Sequence, residues 1–273
     1  MPLKTFFGFP RTTYENVTKE TIAIVGSKAV SKSIHPSFGQ KKATRLLRKL
    51  SWEYDTHNMH IKCELENFDI VDLGDFDPRT LQIVIPETLK RGARVIILGG
   101  DHTTTYYALR NVSIHDILFL DAHLDSEEYT SSFHHGCIVR RLLEEKENTR
   151  IKLLGFRGYS TLASEYEYLR EKGVNIVSWP VPEHVLVDEI SRNEAISIDL
   201  DFFDPTSFQA VRVPEVFGAD FSEFIYLINR LEKTDAKYFD LVEYAPNIDP
   251  GYVCGKKLIQ LLLEILALLV RSL

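Results

Sequence analysis

The stretch Ile196-Ser197-Ile198-Asp199-Leu200-Asp201-Phe202-Phe203-Asp204-Pro205 reads as a short strand that runs into carboxylates. Ile196, Ile198 and Leu200 alternate with polar positions, and side chains two apart on a strand point to the same face. Asp199 and Asp201 are therefore expected side by side. Neighbouring carboxylates repel and are costly to desolvate unless a cation lies between them. A divalent metal is the simplest such cation. The pattern recurs upstream in Asp121-Ala122-His123-Leu124-Asp125, directly behind an apolar run at 117–120. Two carboxylate and imidazole clusters at strand ends make a candidate two-metal site.

Further short apolar runs lie at 21–25, 68–73, 94–98, 151–155, 174–177 and 238–242, each bounded by Gly, Pro or Asp. Helical patterns separate them at 86–91, 103–110, 137–147, 164–172 and 221–233. Strands alternating with helices, the strands nearly all apolar, imply a mostly parallel sheet covered on both faces. The expectation is one α/β domain over residues 1–273, an open eight-stranded sheet with helices on both sides. A chain of 273 residues is long enough to bury such a core. In such folds ligands bind just beyond the carboxyl ends of strands. His102, Asp121 and Glu243 each follow a predicted strand there.

The net charge of −7 argues against a nucleic-acid surface, which needs a basic excess. Cys63, Cys137 and Cys254 are odd in number and widely spaced, so neither a disulfide framework nor a zinc knuckle is indicated. Cys137 reads as a packing residue. Gly99-Gly100 lacks the six-residue dinucleotide fingerprint and reads as a tight strand-exit turn. Asp101 and Asp204 read as turn residues. The start Met1-Pro2-Leu3-Lys4-Thr5 lacks the apolar core of a signal peptide, so a cytoplasmic protein is expected. The apolar tail at 258–270 would span roughly 20 Å as a helix, against about 30 Å of hydrocarbon. A buried terminal helix at a subunit contact is expected instead of a membrane anchor.

With these motifs assembled, the chain resembles the ureohydrolase family, which includes arginase and agmatinase. Gly99-Gly100-Asp101-His102, Asp121-Ala122-His123-Leu124-Asp125 and Ser197 through Pro205 carry the resemblance. His135-Gly136 and Val242-Glu243 support it, in the family's order. The resemblance implies an arginase-like sheet carrying two Mn²⁺ ions per subunit. One ion would take His102, Asp121, Asp125 and Asp199, the other His123, Asp121, Asp199 and Asp201, with Asp121 and Asp199 bridging. Carboxylates and imidazoles suit Mn²⁺ better than a thiolate-seeking metal.

The resemblance also implies catalytic roles. Two metals lower the pKa of a shared water. Glu243 would anchor a cationic guanidinium, Asp125 would protonate the leaving amine, and His135 would shuttle the proton, with neighbouring His134 exchanging roles if the register slips by one. A homo-oligomer, trimer or hexamer, is implied. Substrate choice falls to the loop after Asp125, where Glu127 stands at a position arginases fill with asparagine. A carboxylate there would repel the α-carboxylate of arginine and favour agmatine, giving putrescine and urea; a solvated acidic turn at Glu127 and Glu128 is the plain alternative.

Several positions depart from the family. Ala210-Val211-Arg212-Val213-Pro214-Glu215 stands in place of Gly-Thr-Gly-Thr-Pro-Glu, and Arg212 would welcome a carboxylate, as in guanidinobutyrate. Gly26-Ser27-Lys28-Ala29-Val30 lacks the usual Pro and Asp, and Gly158 replaces an acidic residue after Gly155-Phe156-Arg157. Hydrolysis of another guanidino or formimino compound therefore stands beside agmatine. So does a metal-stabilised paralogue with a binding role.

Overall fold

The computed structural model describes residues 4–32, 37–58, 63–128, 133–157 and 161–273. Eight strands form one sheet: β1 Ile22–Ser27, β2 Ile70–Phe76, β3 Arg94–Leu98, β4 Asp116–Leu120, β5 Arg150–Phe156, β6 Asn175–Ser178, β7 Ala195–Asp199 and β8 Tyr238–Val242. Their spatial order is β2-β1-β3-β8-β7-β4-β5-β6, and every neighbouring pair is parallel. All eight apolar runs read from the sequence are strands of this sheet. A short antiparallel pair, His57–Asn58 with Cys63–Glu64, lies outside it.

Helices α1 Ala43–Ser51, α6 Glu183–Arg192, α7 Phe221–Arg230 and α8 Val253–Arg271 bury their apolar faces against one side of the sheet. Helices α2 Pro78–Lys90, α3 Thr103–Leu109, α4 Ile138–Glu145 and α5 Ala163–Glu171 cover the other. Strand alternation feeds both layers. Ile22 and Ile24, Ile96 and Leu98, and Leu118 and Leu120 pack toward the first set. Ala23 and Val25, Val95 and Ile97, and Ile117 and Phe119 pack toward the second. Because both faces are covered, the central strands are apolar at nearly every position.

Two local expectations change. Helix α2 starts at Pro78, eight residues before the predicted 86–91 segment, with Asp77 accepting hydrogen bonds from the N–H groups of Arg79 and Thr80. Pro86 suggested a first turn, yet it lies inside the helix. Helices α1 and α6 form where no helical pattern had been assigned. The tail is the buried terminal helix expected: Leu258, Ile259, Leu262, Ile265, Leu266 and Leu269 of α8 are fully buried in the core. Among the described residues, no helix is long and apolar enough to cross a membrane.

What positions the site is strand order. After β3 the chain crosses to β4, leaving a gap that β7 and β8 later fill. The segments leaving β3, β8, β7 and β4 therefore meet on one carboxyl edge of the sheet.

Candidate metal centre

Three strand exits deliver the candidate ligands. Gly99 and Gly100 leave β3 with φ of 78° and 79°, conformations glycine adopts without strain. A Cβ at Gly100 would run into Thr104 Oγ1, Ser27 Oγ and the Ala29 carbonyl. This turn drops His102 at the start of α3, fully buried. Asp121 follows β4 at once, and Asp199 ends β7. Here the alternation argument breaks: Leu200–Phe202 is a 3-10 turn, and Asp201 donates its N–H to Asp199 Oδ1. The two aspartates join different donor groups.

His102 Nδ1 lies 3.2 Å from Asp121 Oδ2, 2.9 Å from Asp125 Oδ2 and 3.2 Å from Asp199 Oδ2. His123 Nδ1 lies 2.9 Å from Asp201 Oδ2 and 3.7 Å from Asp121 Oδ1. His102, Asp121 and Asp199 thus form one cluster of possible metal donors, and Asp121, His123 and Asp201 a second. Asp121 belongs to both.

These residues fit a divalent cation on two counts. His102 Nδ1 and Asp121 Oδ2 are buried and have no hydrogen-bond partner, a costly condition for polar atoms without a ligand. Donors around an octahedral cation with bonds of about 2.1 Å are about 3 Å apart, the spacing seen around His102 Nδ1. Charge points the same way. Burial, aided by Asp201 and Asp125, pushes the Asp121 carboxyl up to about 7. Burial and then Asp201 hold Asp199 well above the usual carboxylate range. Burial opposes an imidazolium at His102, yet Asp121, Asp125 and Asp199 outweigh it and raise His102 well above its ordinary value. His123 is raised in the same way, mainly by Asp201. The cluster holds protons where a cation would relieve it.

Beneath the centre lies a buried polar relay that the sequence did not disclose. His102 Nε2 is 2.9 Å from Ser197 Oγ, and Ser197 donates to Asp240 Oδ1 at 2.7 Å. Thr105 and Tyr238 donate to Asp240 Oδ2 at 2.7 and 2.5 Å. Ser197 gives its only proton to Asp240, so it accepts from His102 Nε2–H. That leaves His102 Nδ1 as the atom turned toward the carboxylates, the tautomer a metal ligand needs. Ser197 and Asp240 face the α3 side of their strands, and the only signal for them was a polar residue inside an apolar strand.

The remaining predicted residues separate into two places. Glu243 follows β8, buried, with its N–H donated to the Gly100 carbonyl. Its carboxylate accepts from the His102 N–H at 3.0 Å and Gln40 Nε2 at 3.2 Å, and faces His135 Nδ1 at 3.2 Å. Burial would raise Glu243, but His135 and Arg212 hold it below the usual range. Asp125 and Glu243 have φ of 44° and 68°, left-handed backbone that non-glycine residues rarely adopt and that clusters at working sites. Glu127, by contrast, is half exposed and pairs with His134, Nε2 to Oε2 at 3.8 Å. So His135 stands at Glu243 and His134 stands at Glu127. Residues 129–132 of the proposed specificity loop, and Gly158, lie outside the described residues.

Other expectations find their places. Asp101 accepts from Ser31 and Thr103, and Asp204 from Thr206 and Gly218, both as turn residues. Burial pushes the Cys137 thiol up to about 11, which suits a packing role. Arg157, read only as a motif remnant, donates to the carbonyls of Gly155, Asp201, Phe203, Glu215 and Val216, tying two loops over the centre. Glu215 from the second loop reaches 3.7 Å from His123 Nε2.

Comparison with known proteins gives a family and a fold. A family model described as Arginase family matches residues 20–267. An N(1)-aminopropylagmatine ureohydrolase of Thermococcus kodakarensis is 26% identical over 241 residues, covering 81% of this chain and 82% of that protein. A mitochondrial guanidino acid hydrolase of Homo sapiens is 28% identical over 206 residues, 66% of this chain and 58% of its own length. The structure of proclavaminate amidino hydrolase from Streptomyces clavuligerus superposes with a TM-score of 0.84 at 22% identity, covering 100% of this chain and 99% of that one.

Proposed function

This chain belongs to the arginase family, and from that premise we propose that it is a manganese-dependent amidinohydrolase that cleaves a guanidino group to urea and an amine. The observation that carries the reading is Asp121, buried, shared by two donor groups and left with an unpartnered oxygen. His102, Asp121, Asp125 and Asp199 would hold one ion, and His123, Asp121, Asp199 and Asp201 the other. When bound, two such ions supply a nucleophile at neutral pH and clamp developing charge.

The chain's own residues do the rest. Glu243 receives the cationic amidine and orients its carbon, a positioning effect. Asp125 carries a proton to the leaving amine; its carboxylate is mostly buried and lies at the edge of the first donor group. His135, which is paired with Glu243, returns protons from solvent. Agmatine is the leading substrate, because the half-exposed Glu127 carboxylate favours an ammonium tail over a carboxylate. A guanidino acid or a formimino compound is the second reading, favoured by Arg212 near Glu243. In either case the working setting is a cytoplasmic homo-oligomer without nucleic-acid or membrane partners.

The test is a panel of agmatine, arginine, 4-guanidinobutyrate and formiminoglutamate with Mn²⁺-loaded protein, read as urea, formamide and amine release. Turnover of agmatine above the others is expected. A protein that binds two Mn²⁺ per chain yet releases product from none of them would remove the hydrolase reading.

A further inference from the structure

Asp125 has left-handed backbone, φ 44°, and the residue after it, Ser126, is completely buried although it lies in a loop. A buried loop must find partners for its peptide groups on other elements. Here two successive peptide units are gripped at both ends. In the first, the Asp125 carbonyl accepts from the Val139 N–H at 2.9 Å, and the Ser126 N–H donates to Glu165 Oε2 at 3.2 Å. In the second, the Ser126 carbonyl accepts from Arg140 Nε at 2.9 Å, and the Glu127 N–H donates to the Gly136 carbonyl at 2.9 Å. Two of these four partners are ionisable side chains, one from α5 and one from α4, and charge-assisted bonds are the stronger kind. Both are anchored in turn. The Arg140 guanidinium lies over the Tyr168 ring of α5, 3.7 Å from its centroid. Glu165 is buried, and its Oε1 accepts from the Leu162 N–H and caps α5. Capping uses one oxygen and leaves the other for Ser126.

We propose that Glu165 is a positioning residue for the candidate metal centre: with Arg140 it clamps the peptide units on either side of Ser126 and so holds the Asp125 carboxylate in the first donor group. The proposal rests on the reading above that Asp125 is a ligand of one ion and carries a proton to the leaving amine. A non-glycine residue keeps left-handed backbone only where its surroundings over-determine it. The orientation of the peptide between 125 and 126 sets ψ of Asp125, so Glu165 acts on the strained residue itself. Asp125 Oδ2 then stands 2.9 Å from His102 Nδ1. With the clamp released, Asp125 is free to relax and swing its carboxylate away from His102. The loss falls on one ion only, because the other takes His123, Asp121, Asp199 and Asp201.

The test uses full-length wild type, Glu165→Leu and Arg140→Met, with Mn²⁺ titrated by calorimetry and amide hydrogen exchange followed in metal-free protein. Glu165→Leu should weaken one of the two Mn²⁺ equivalents by about tenfold or more, the range for partners that orient a ligand, and leave the other within about twofold. Arg140→Met, which frees the second peptide unit, should weaken the same equivalent. In both variants the Ser126 and Glu127 amides should exchange about tenfold faster or more, while sheet amides keep their rates. Unchanged affinity for both ions in either folded variant overturns the proposal, and so does an equal loss of both, which marks general loosening. Faster exchange confined to the first turn of α5 would reduce Glu165 to a helix cap and overturn it as well. If circular dichroism shows that Glu165→Leu is unfolded, Arg140→Met decides by the same criteria. A wild type that takes up no Mn²⁺ removes the hydrolase reading instead. The metal-free exchange rates then judge the clamp, and unchanged Ser126 and Glu127 rates overturn it.

Discussion

Asp121 and Asp240 are both fully buried aspartates near one carboxyl edge, yet their surroundings are opposite. Asp240 lies inside β8 and accepts hydrogen bonds from Ser197, Thr105 and Tyr238, so its oxygens are satisfied by the protein. Asp121 lies just past β4, surrounded by Asp125, Asp199 and Asp201, and its Oδ2 has no hydrogen-bond partner. Burial alone thus does not mark a site. A buried carboxylate with a complete set of donors is part of the scaffold, and one left incomplete among like charges is waiting for a ligand.

The largest expected effect separates the two by chemistry. Asp121→Asn should reduce turnover by on the order of a thousandfold or more, since it weakens the grip on both ions. Metal-free Asp121→Asn should melt no lower than wild type, because it removes a repelling charge. A metal-free variant that melts many degrees lower would erase the contrast. Next in size, Asp240→Ala strands three buried hydroxyls and should cost about 3 kcal/mol or more in urea denaturation. Stability within 0.5 kcal/mol or so of wild type would show that the relay is not structural.

Ser197→Ala joins the two regions, because it releases His102 Nε2 without touching a ligand. Metal affinity should fall by about 10- to 100-fold, measured by Mn²⁺ titration, with Ser197→Thr recovering most of it. Equal affinities in all three proteins would detach the relay from the centre.

The smallest effect is a pH dependence of about a few degrees in melting temperature. Asp121, near 7, with Asp199, His102 and His123, holds protons more tightly folded than unfolded. Groups raised in the folded state add stability that is complete below their unfolded pKa values and is lost as pH rises through the folded ones. Metal-free protein should therefore melt lower at pH 8 than at pH 5. Asp201 and Glu243, which are lowered, act only in more acidic solution. Bound Mn²⁺ should flatten the trend, and a metal-free protein that gains stability toward pH 8 would contradict the origin assigned to these shifts.

Much of this was readable beforehand, and for local reasons. Short, nearly continuous apolar runs bounded by Gly, Pro or Asp marked all eight strands, and the positions behind them named the six candidate ligands that converge. Failures were equally physical. Pro86 suggested a helix start but sits within α2, because Asp77 and Pro78 cap that helix earlier. The alternation that paired Asp199 with Asp201 ended one residue too soon. Ser197 and Asp240 looked like interruptions of apolar strands, since their partners lie on other elements far away in sequence.

The sequence by itself determined which segments are strands and which carboxylates and imidazoles stand at their ends, because those patterns depend on neighbours one to four residues away. Only the tertiary structure decided that β7 and β8 slot between β3 and β4, that His102 is turned by Ser197 and Asp240, and that Arg212 stands against Glu243. Those pairings are set by strand order and packing, across thirty intervening residues in the case of Arg212 and Glu243, and no local rule of spacing reports them.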